Sequence, residues 1–247
     1  MEKKRVRLVV AYDGTAYHGW QYQNNAVTVE EKLHDAIFNL TKEDVEVVGA
    51  SRTDAGVHSL GNIAVFDTDS PIPADKFSFA LNQYLPEDIR VLKSDEVSPD
   101  WHPRKVNSKK TYEYRIYNAP IPLPTKRLYA DFEYGDFDVE AMNEAAAFLI
   151  GEHDFKSFCS EGAQVLTTVR LLYDAKVYRE DTDIVIRVTG AGFLYNMVRI
   201  IAGTLMEVGR GKRAASEMPK IIEACDRQAA GPTAPARGLT LIKYEFE

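Results

Sequence analysis

Hydrophobic and polar positions along this chain follow two periods, and the order in which the periods appear repeats. Arg5 to Tyr12 alternates apolar and polar in part and predicts a strand. Thr28-Val29-Glu30-Glu31 has the form of a capping box, opening a helix with Leu33, Ile37 and Leu40 on one face. Strands follow over about 44–50 and 61–67, then a helix over about 73–85 and a strand over about 89–97. The second half begins with a strand at Thr111–Tyr117 and a helix over Asp138–Leu149, with Asp138 as its candidate cap. Two strands near 169–178 and 183–189 join at the turn-like Glu180-Asp181-Thr182. A strongly apolar helix over about 193–208, a shorter one near 216–225 and a strand from about 239 to 246 complete the chain.

Each half thus reads β-α-β-β-α-β, the ferredoxin-like order, and the fold class is α+β. Such a unit makes an antiparallel sheet with its helices on one face. Two of them side by side would give one continuous antiparallel sheet with a broad open face. The boundary is expected in Ser98-Pro99-Asp100-Trp101-His102-Pro103, dividing the chain into 1–101 and 102–247.

Composition narrows the class. The chain has 247 residues, 45% of them hydrophobic, which is ordinary for a globular protein. No apolar run is long enough to span a bilayer and the start has no apolar signal core, so a soluble intracellular protein is expected. Cys159 and Cys225 match no metal-ligand spacing and predict two buried free thiols. Gly209-Arg210-Gly211-Lys212 lacks the upstream glycine and the following Ser/Thr of a phosphate loop.

The net charge of −7 weighs against a nucleic-acid partner, but it averages over both faces of the molecule. Basic residues cluster at Lys3-Lys4-Arg5 with Arg7, at Arg104-Lys105, at Lys109-Lys110, at Lys126-Arg127 and at Arg210 with Lys212-Arg213. Acids such as Glu30, Glu31, Asp75 and Glu140 fall on predicted helices. A sheet face can therefore be positive while a helix face is negative. An open sheet face suits splayed or single-stranded RNA, whose bases stack on aromatics. Tyr12, Tyr17, Trp20, Tyr112, Tyr114 and Tyr117 lie on or beside predicted strands, where each is either such a platform or part of the core.

Three residues carry candidate chemistry. Asp54 sits in Ser51-Arg52-Thr53-Asp54-Ala55-Gly56-Val57-His58, a short loop between two predicted strands. Rigid strands are the usual frame for a reactive loop, although Asp-Ala-Gly also makes an ordinary turn. Arg199 lies in one of the most apolar helical stretches, where a desolvated guanidinium needs a carboxylate or several carbonyls. Paired with an acid, it would keep that acid ionised. Tyr112 follows the basic pair Lys109-Lys110 on the first strand of the second half.

Across nearly its whole length the chain resembles the TruA family of tRNA pseudouridine synthases. Seven blocks carry the resemblance, in order. They are Tyr12-Asp13-Gly14-Thr15 with Gly19-Trp20-Gln21-x-Gln23; Thr28-Val29-Glu30; Arg52-Thr53-Asp54-Ala55-Gly56-Val57-His58; Lys110-Thr111-Tyr112-x-Tyr114; His153-Asp154-Phe155-x-Ser157-Phe158; Met197-Val198-Arg199-x-Ile201-x-Gly203; and Ala234-Pro235-x-x-Gly238-Leu239. The resemblance implies that Asp54 is the catalytic aspartate and that Arg199 pairs with it. It also implies that Tyr112 contacts the target base and that Arg52 assists in displacing the nucleotide. It further implies an RNA-binding cleft on the open sheet face, no metal, no cofactor, a cytoplasmic homodimer, and the tRNA anticodon stem-loop as substrate, at roughly nucleotides 38 to 40. Where the family often has glycine before the arginine, this chain has Ser51, for which ordinary backbone is expected. Ala55, in place of lysine, favours the bacterial-type branch. Two rivals stand beside this reading: a non-catalytic RNA-binding protein with two sheet platforms, and a metal-dependent hydrolase built on His58, His153 and nearby acids, for which the ligand spacing is poor.

Overall fold

The computed structural model describes residues 3–162 and 165–246. In chain order its main elements are β1 (Lys4–Tyr12), α1 (Val29–Thr41), β2 (Val48–Gly49), β3 (His58–Thr68), α2 (Phe77–Leu81), β4 (Ile89–Val97), β5 (Ser108–Asn118), β6 (Asp131–Glu133), α3 (Val139–Ala147), β7 (Gly151–Asp154), β8 (Val169–Glu180), β9 (Asp183–Gly190), α4 (Met197–Gly209), α5 (Met218–Glu223) and β10 (Leu239–Phe246). They form two units, 1–107 with 241–247, and 108–240, so the closing strand runs almost entirely with the first unit.

In the first unit the strand order is β4-β1-β3, with the short β2 also on β3 and β10 beside β3. The pairings of β1 with β3 and β4, and of β2 with β3, are antiparallel, the arrangement expected of a ferredoxin-like half. β1 alternates strictly. Val6, Leu8, Val10 and Tyr12 enter the core against Leu33 and Ile37 of α1 and Phe77 and Leu81 of α2. Truncating one such fully buried leucine to alanine would cost about 2–5 kcal/mol. On the other face, Arg5 and Arg7 pair with Asp67 and Asp95, and Trp101 packs edge-on against Phe246 at 5.1 Å. α1 begins as its sequence predicts: Thr28 Oγ1 accepts from the Glu31 N–H at 3.3 Å, and the Glu31 carboxylate accepts from the Thr28 N–H at 3.4 Å.

In the second unit the order is β5-β9-β8-β7, with β6 parallel to the far end of β5. The β8–β9 hairpin turns at Asp181, in left-handed backbone with φ 51°. Tyr112, Tyr114 and Ile116 share one face of β5 and are buried. The opposite face carries Glu113, a buried carboxylate satisfied by Arg187 and, at 3.1 Å, by Arg115. The Asp138 side chain caps α3 by accepting from the Ala141 N–H at 2.9 Å. α4 is buried on nearly all sides, which explains its apolar sequence.

Four expectations are corrected. The strand at 44–50 contracts to Val48–Gly49, and the helix at 73–85 to a 3₁₀ turn at Ala74–Lys76 running into Phe77–Leu81. The apolar helix starts at Met197, because Asn196 is left-handed with φ 59°. Both cysteines are free, but only Cys159 is buried; Cys225 is half-buried.

Candidate active-site loop and its supports

Residues 51–57 cross from β2 to β3 without regular secondary structure, with a turn at Ala55–Gly56. Both ends are fixed by buried groups. The Asn62 carboxamide of β3 exchanges two hydrogen bonds with Ser51: its Oδ1 accepts from the Ser51 N–H at 3.2 Å and its Nδ2 donates to the Ser51 carbonyl at 3.0 Å. The Ala50 N–H donates to the Ile63 carbonyl at 2.8 Å. Ser51 has no positive φ, as expected for a residue standing in place of glycine. At the far end the buried His58 ring accepts from the Gly14 N–H through Nδ1 at 3.1 Å, with Asp13 Oδ1 3.2 Å away.

The middle of the loop lies directly on the segment after β1. The Trp20 N–H donates to the Thr53 carbonyl at 3.1 Å, and the Gly56 N–H, from a residue with φ 77°, donates to the Tyr17 carbonyl at 3.2 Å. Gly19 has φ 87°, and a Cβ there would stand 2.5 Å from the Thr53 carbonyl oxygen and 3.2 Å from the Asp54 carbonyl carbon. Only glycine meets both demands, left-handed backbone and the close approach of another chain segment. Tyr12 reaches the loop from β1, its hydroxyl 2.7 Å from Thr53 Oγ1. Burial pushes the Tyr12 phenol far above its ordinary range, so it stays protonated at any physiological pH.

This packing sets what the loop presents. Ser51, Thr53 and Val57 point inward and are buried, Asp54 is half-buried, and Arg52 is exposed. Arg52 makes no ion pair among the described residues. The carboxylate therefore sits on a backbone tied to β1, β3 and the 14–20 segment, the condition under which an ionised group can be held for attack or proton transfer.

The other two predicted site residues lie in the second unit. Tyr112 is 8% exposed and stands edge-on to Phe193 at 5.1 Å. Arg199, on the first turn of α4, is half-buried; Nε donates to the Ala234 carbonyl at 2.8 Å and Nη1 to Asn196 Oδ1 at 2.7 Å. The Ala234 N–H returns a bond to the Arg199 carbonyl at 3.1 Å. A Cβ on Gly203 would collide with the Pro232 carbonyl oxygen at 1.8 Å, so the 231–235 loop presses against the helix where the side chain is missing. Two sequence blocks far apart in the chain are thus one packed feature. The segment from His153 to Ser160 packs nearby: Asn196 Nδ2 donates to Ser160 Oγ at 2.9 Å, and Ser157 Oγ accepts from the Asp226 N–H at 2.9 Å.

All six strand aromatics picked out as a possible stacking platform are buried, with Tyr112 the most exposed of them at 8%. Among the described residues no group of three His, Cys, Asp or Glu side chains is disposed to hold a metal, and no helix is long and apolar enough to cross a membrane. Tyr12, Gly19 and Asn62 support the candidate loop, yet sequence reasoning gave none of them that role. Tyr12 and Gly19 fall inside the first quoted block, and the signal for Asn62 was its place as a lone carboxamide inside the apolar run 61–66.

The sequence profile described as tRNA pseudouridine synthase matches residues 8–104 and 145–247. The chain is 49% identical over 243 residues to the tRNA pseudouridine synthase A of Acetivibrio thermocellus, covering 98% of this chain and all of that protein. It is 50% identical over 244 residues to that of Ruminiclostridium cellulolyticum, and 47% over 243 residues to that of Brevibacillus brevis, each covering 98% of this chain and all of the relative. End-to-end similarity at this level, together with the seven ordered blocks, establishes that the chain belongs to the TruA family of tRNA pseudouridine synthases.

Proposed function

We propose that this protein isomerises uridine to pseudouridine in the anticodon stem-loop of tRNA, using Asp54 as its essential carboxylate. The observation that carries the reading is full-length similarity to proteins named tRNA pseudouridine synthase A, joined to an aspartate on a loop pinned at both ends. The reaction breaks the bond from ribose C1′ to uracil N1 and forms one from C1′ to C5. The C5 proton is lost and N1 gains one, so the change is an isomerisation needing no oxidant or reductant.

Extracting the nucleotide from its stack costs a few kcal/mol, which phosphate contacts offset. Arg52, exposed beside Asp54, is assigned to that step. Arg199 is assigned as the cation that keeps Asp54 ionised, and Tyr112 as the ring against which the freed uracil turns. Asp54 acts at C1′, on the base, or on a sugar proton; each route needs the same ionised carboxylate. We further propose that the working form is a cytoplasmic homodimer, which light scattering of the purified protein tests directly.

Tritium release from tRNA labelled at uracil C5 tests the activity. Wild-type protein should release label, and Asp54→Asn should release none while binding tRNA with nearly unchanged affinity. Substantial release by Asp54→Asn would remove Asp54 from the mechanism, and none by wild type would leave an RNA-binding protein. Tyr112→Phe separates stacking from hydroxyl chemistry: slower release at unchanged affinity supports a role for the hydroxyl, whereas full activity confines Tyr112 to stacking.

A further inference from the structure

A guanidinium beside the β9–α4 loop has no neutralising partner among the described residues. Arg170, near the start of β8, is half-buried, and its Nη1 donates to the carbonyls of Thr167 and Val169 at 2.9 and 2.6 Å. Among the described residues no carboxylate pairs with it. Its one charge-sensitive neighbour is the Cys159 thiol, which burial holds in the neutral form. Burial without an acid lowers the arginine's own pKa, so the fold keeps this cation against an electrostatic cost. Other half-buried arginines are answered with acids, as in Arg5–Asp67 and Arg213–Glu207, or have more of the fork filled by local acceptors, as Arg227 does with Gly231 and Thr233; Arg90 alone shares the Arg170 pattern among the described residues, held through Nη1 by the Pro86 and Ile89 carbonyls, and it lies in the other unit. Arg170 is engaged through Nη1 alone, leaving the Nε–Nη2 edge without an acceptor among the described residues. That edge has the spacing for two parallel hydrogen bonds to one phosphate.

Its position gives the vacancy a direction. A Cβ built on Gly192 would lie 3.9 Å from both Cδ and Nε of Arg170, so the guanidinium runs past the loop where a side chain is absent. The next residue, Phe193, is the ring that stands edge-on to Tyr112. The cation and the tyrosine are thus attached to the same short stretch of chain.

We propose that Arg170 binds a backbone phosphate of the RNA strand whose base is handled at Tyr112, through its Nε and Nη2. This rests on the assignment of Tyr112 above. The contrary possibility is that Arg170 only straps the turn at 167–169 to the strand.

The two are separated by binding of an unmodified tRNA transcript to the full-length protein over a salt series. For Arg170→Gln the slope of log K against log salt should become shallower by about 0.7–0.9, the signature of one lost phosphate contact. Isomerisation by that variant should show a raised KM with kcat nearly unchanged, as expected for a uniform binding contact. Arg170→Lys should restore the slope without the full affinity. An unchanged slope and affinity together with a lower melting temperature would overturn the proposal in favour of the strap. Should Arg170→Gln fail to fold, Arg170→Lys decides: weaker binding at the wild-type slope supports a bidentate phosphate contact, and wild-type affinity overturns it. Wild-type turnover on the same tRNA is the control. If wild type binds but makes no pseudouridine, the assigned reaction fails, while the salt slope still judges Arg170.

Discussion

The Tyr12 hydroxyl and Thr53 Oγ1 are 2.7 Å apart, both residues are buried, and the bond between them ties β1 to the residue immediately before Asp54. Removing the phenolic oxygen leaves a buried threonine hydroxyl without that partner, at a cost of about 1 kcal/mol or somewhat more. Tyr12→Phe should lower the urea midpoint accordingly and reduce kcat for isomerisation more than it raises KM. Thr53→Val should do the same. In the double variant the two losses should fall short of their sum, and strict additivity would mean that the pair does not act as a unit.

Gly19→Ala attacks the same loop from the other side. The new methyl meets backbone, which cannot rotate away, and the residue must also hold positive φ. Destabilisation beyond about 1 kcal/mol is expected. A loop displaced by a fraction of an ångström should also cost activity by tenfold or more, given how steeply rate depends on placement. Calorimetry and single-turnover kinetics measure the two effects, and a variant with wild-type values in both would show that the loop tolerates the shift.

Arg199→Lys keeps the charge and loses the geometry. A lysine cannot serve the Ala234 carbonyl and the Asn196 side chain as the guanidinium does. Loss of about 1–2 kcal/mol of stability is expected, with faster hydrogen exchange in the 231–235 loop. Arg199→Ala should be less stable still and inactive. Full activity in the alanine variant would dissolve the role assigned to the cation.

The Arg5–Asp67 pair makes a pH-dependent contribution. The Asp67 carboxylate, hydrogen-bonded twice by Arg5, has its pKa held below the ordinary 3.8. A group whose pKa is depressed by folding stabilises the folded state above its unfolded pKa and loses that contribution as pH falls through the folded value. Asp67 is partly exposed, so water screens the pair and the effect is below about 1 kcal/mol. The stability difference between wild type and Asp67→Asn should be present at neutral pH and shrink as the solution is acidified below the ordinary aspartate range. A difference independent of pH would assign the effect to packing.

What could be read from sequence was what is encoded locally. The capping box at Thr28 and the cap at Asp138 are formed by residues three apart, and both stand as expected. Where expectation and structure part, a distant group intervenes. The strand expected at 44–50 is cut short by side-chain bonds that hold its start elsewhere: Asp44 to His34, and Glu43 to Thr68 and the Asp69 N–H. The helix expected to reach Leu85 ends after Leu81, where the Asn82 carboxamide exchanges two bonds with the Val91 backbone of β4. The short β6 and β7 have too few residues to show a period. At the site, motif and spacing pointed to Asp54. The residues that hold its loop act through space over tens of positions, and no periodicity carries that information.

The approach of Trp20 to Gly49 has an optical consequence. The indole fills the space where a Gly49 Cβ would be, 2.1 Å from Nε1, and the backbone of the same tryptophan is bonded to Thr53. The only other tryptophan, Trp101, lies against Phe246 with the Arg7 guanidinium over its ring. With Trp101→Phe, all indole fluorescence would come from a fluorophore one hydrogen bond away from the reactive segment. Engagement of RNA by that segment would then be readable as a change in emission, without a dye or an isotope.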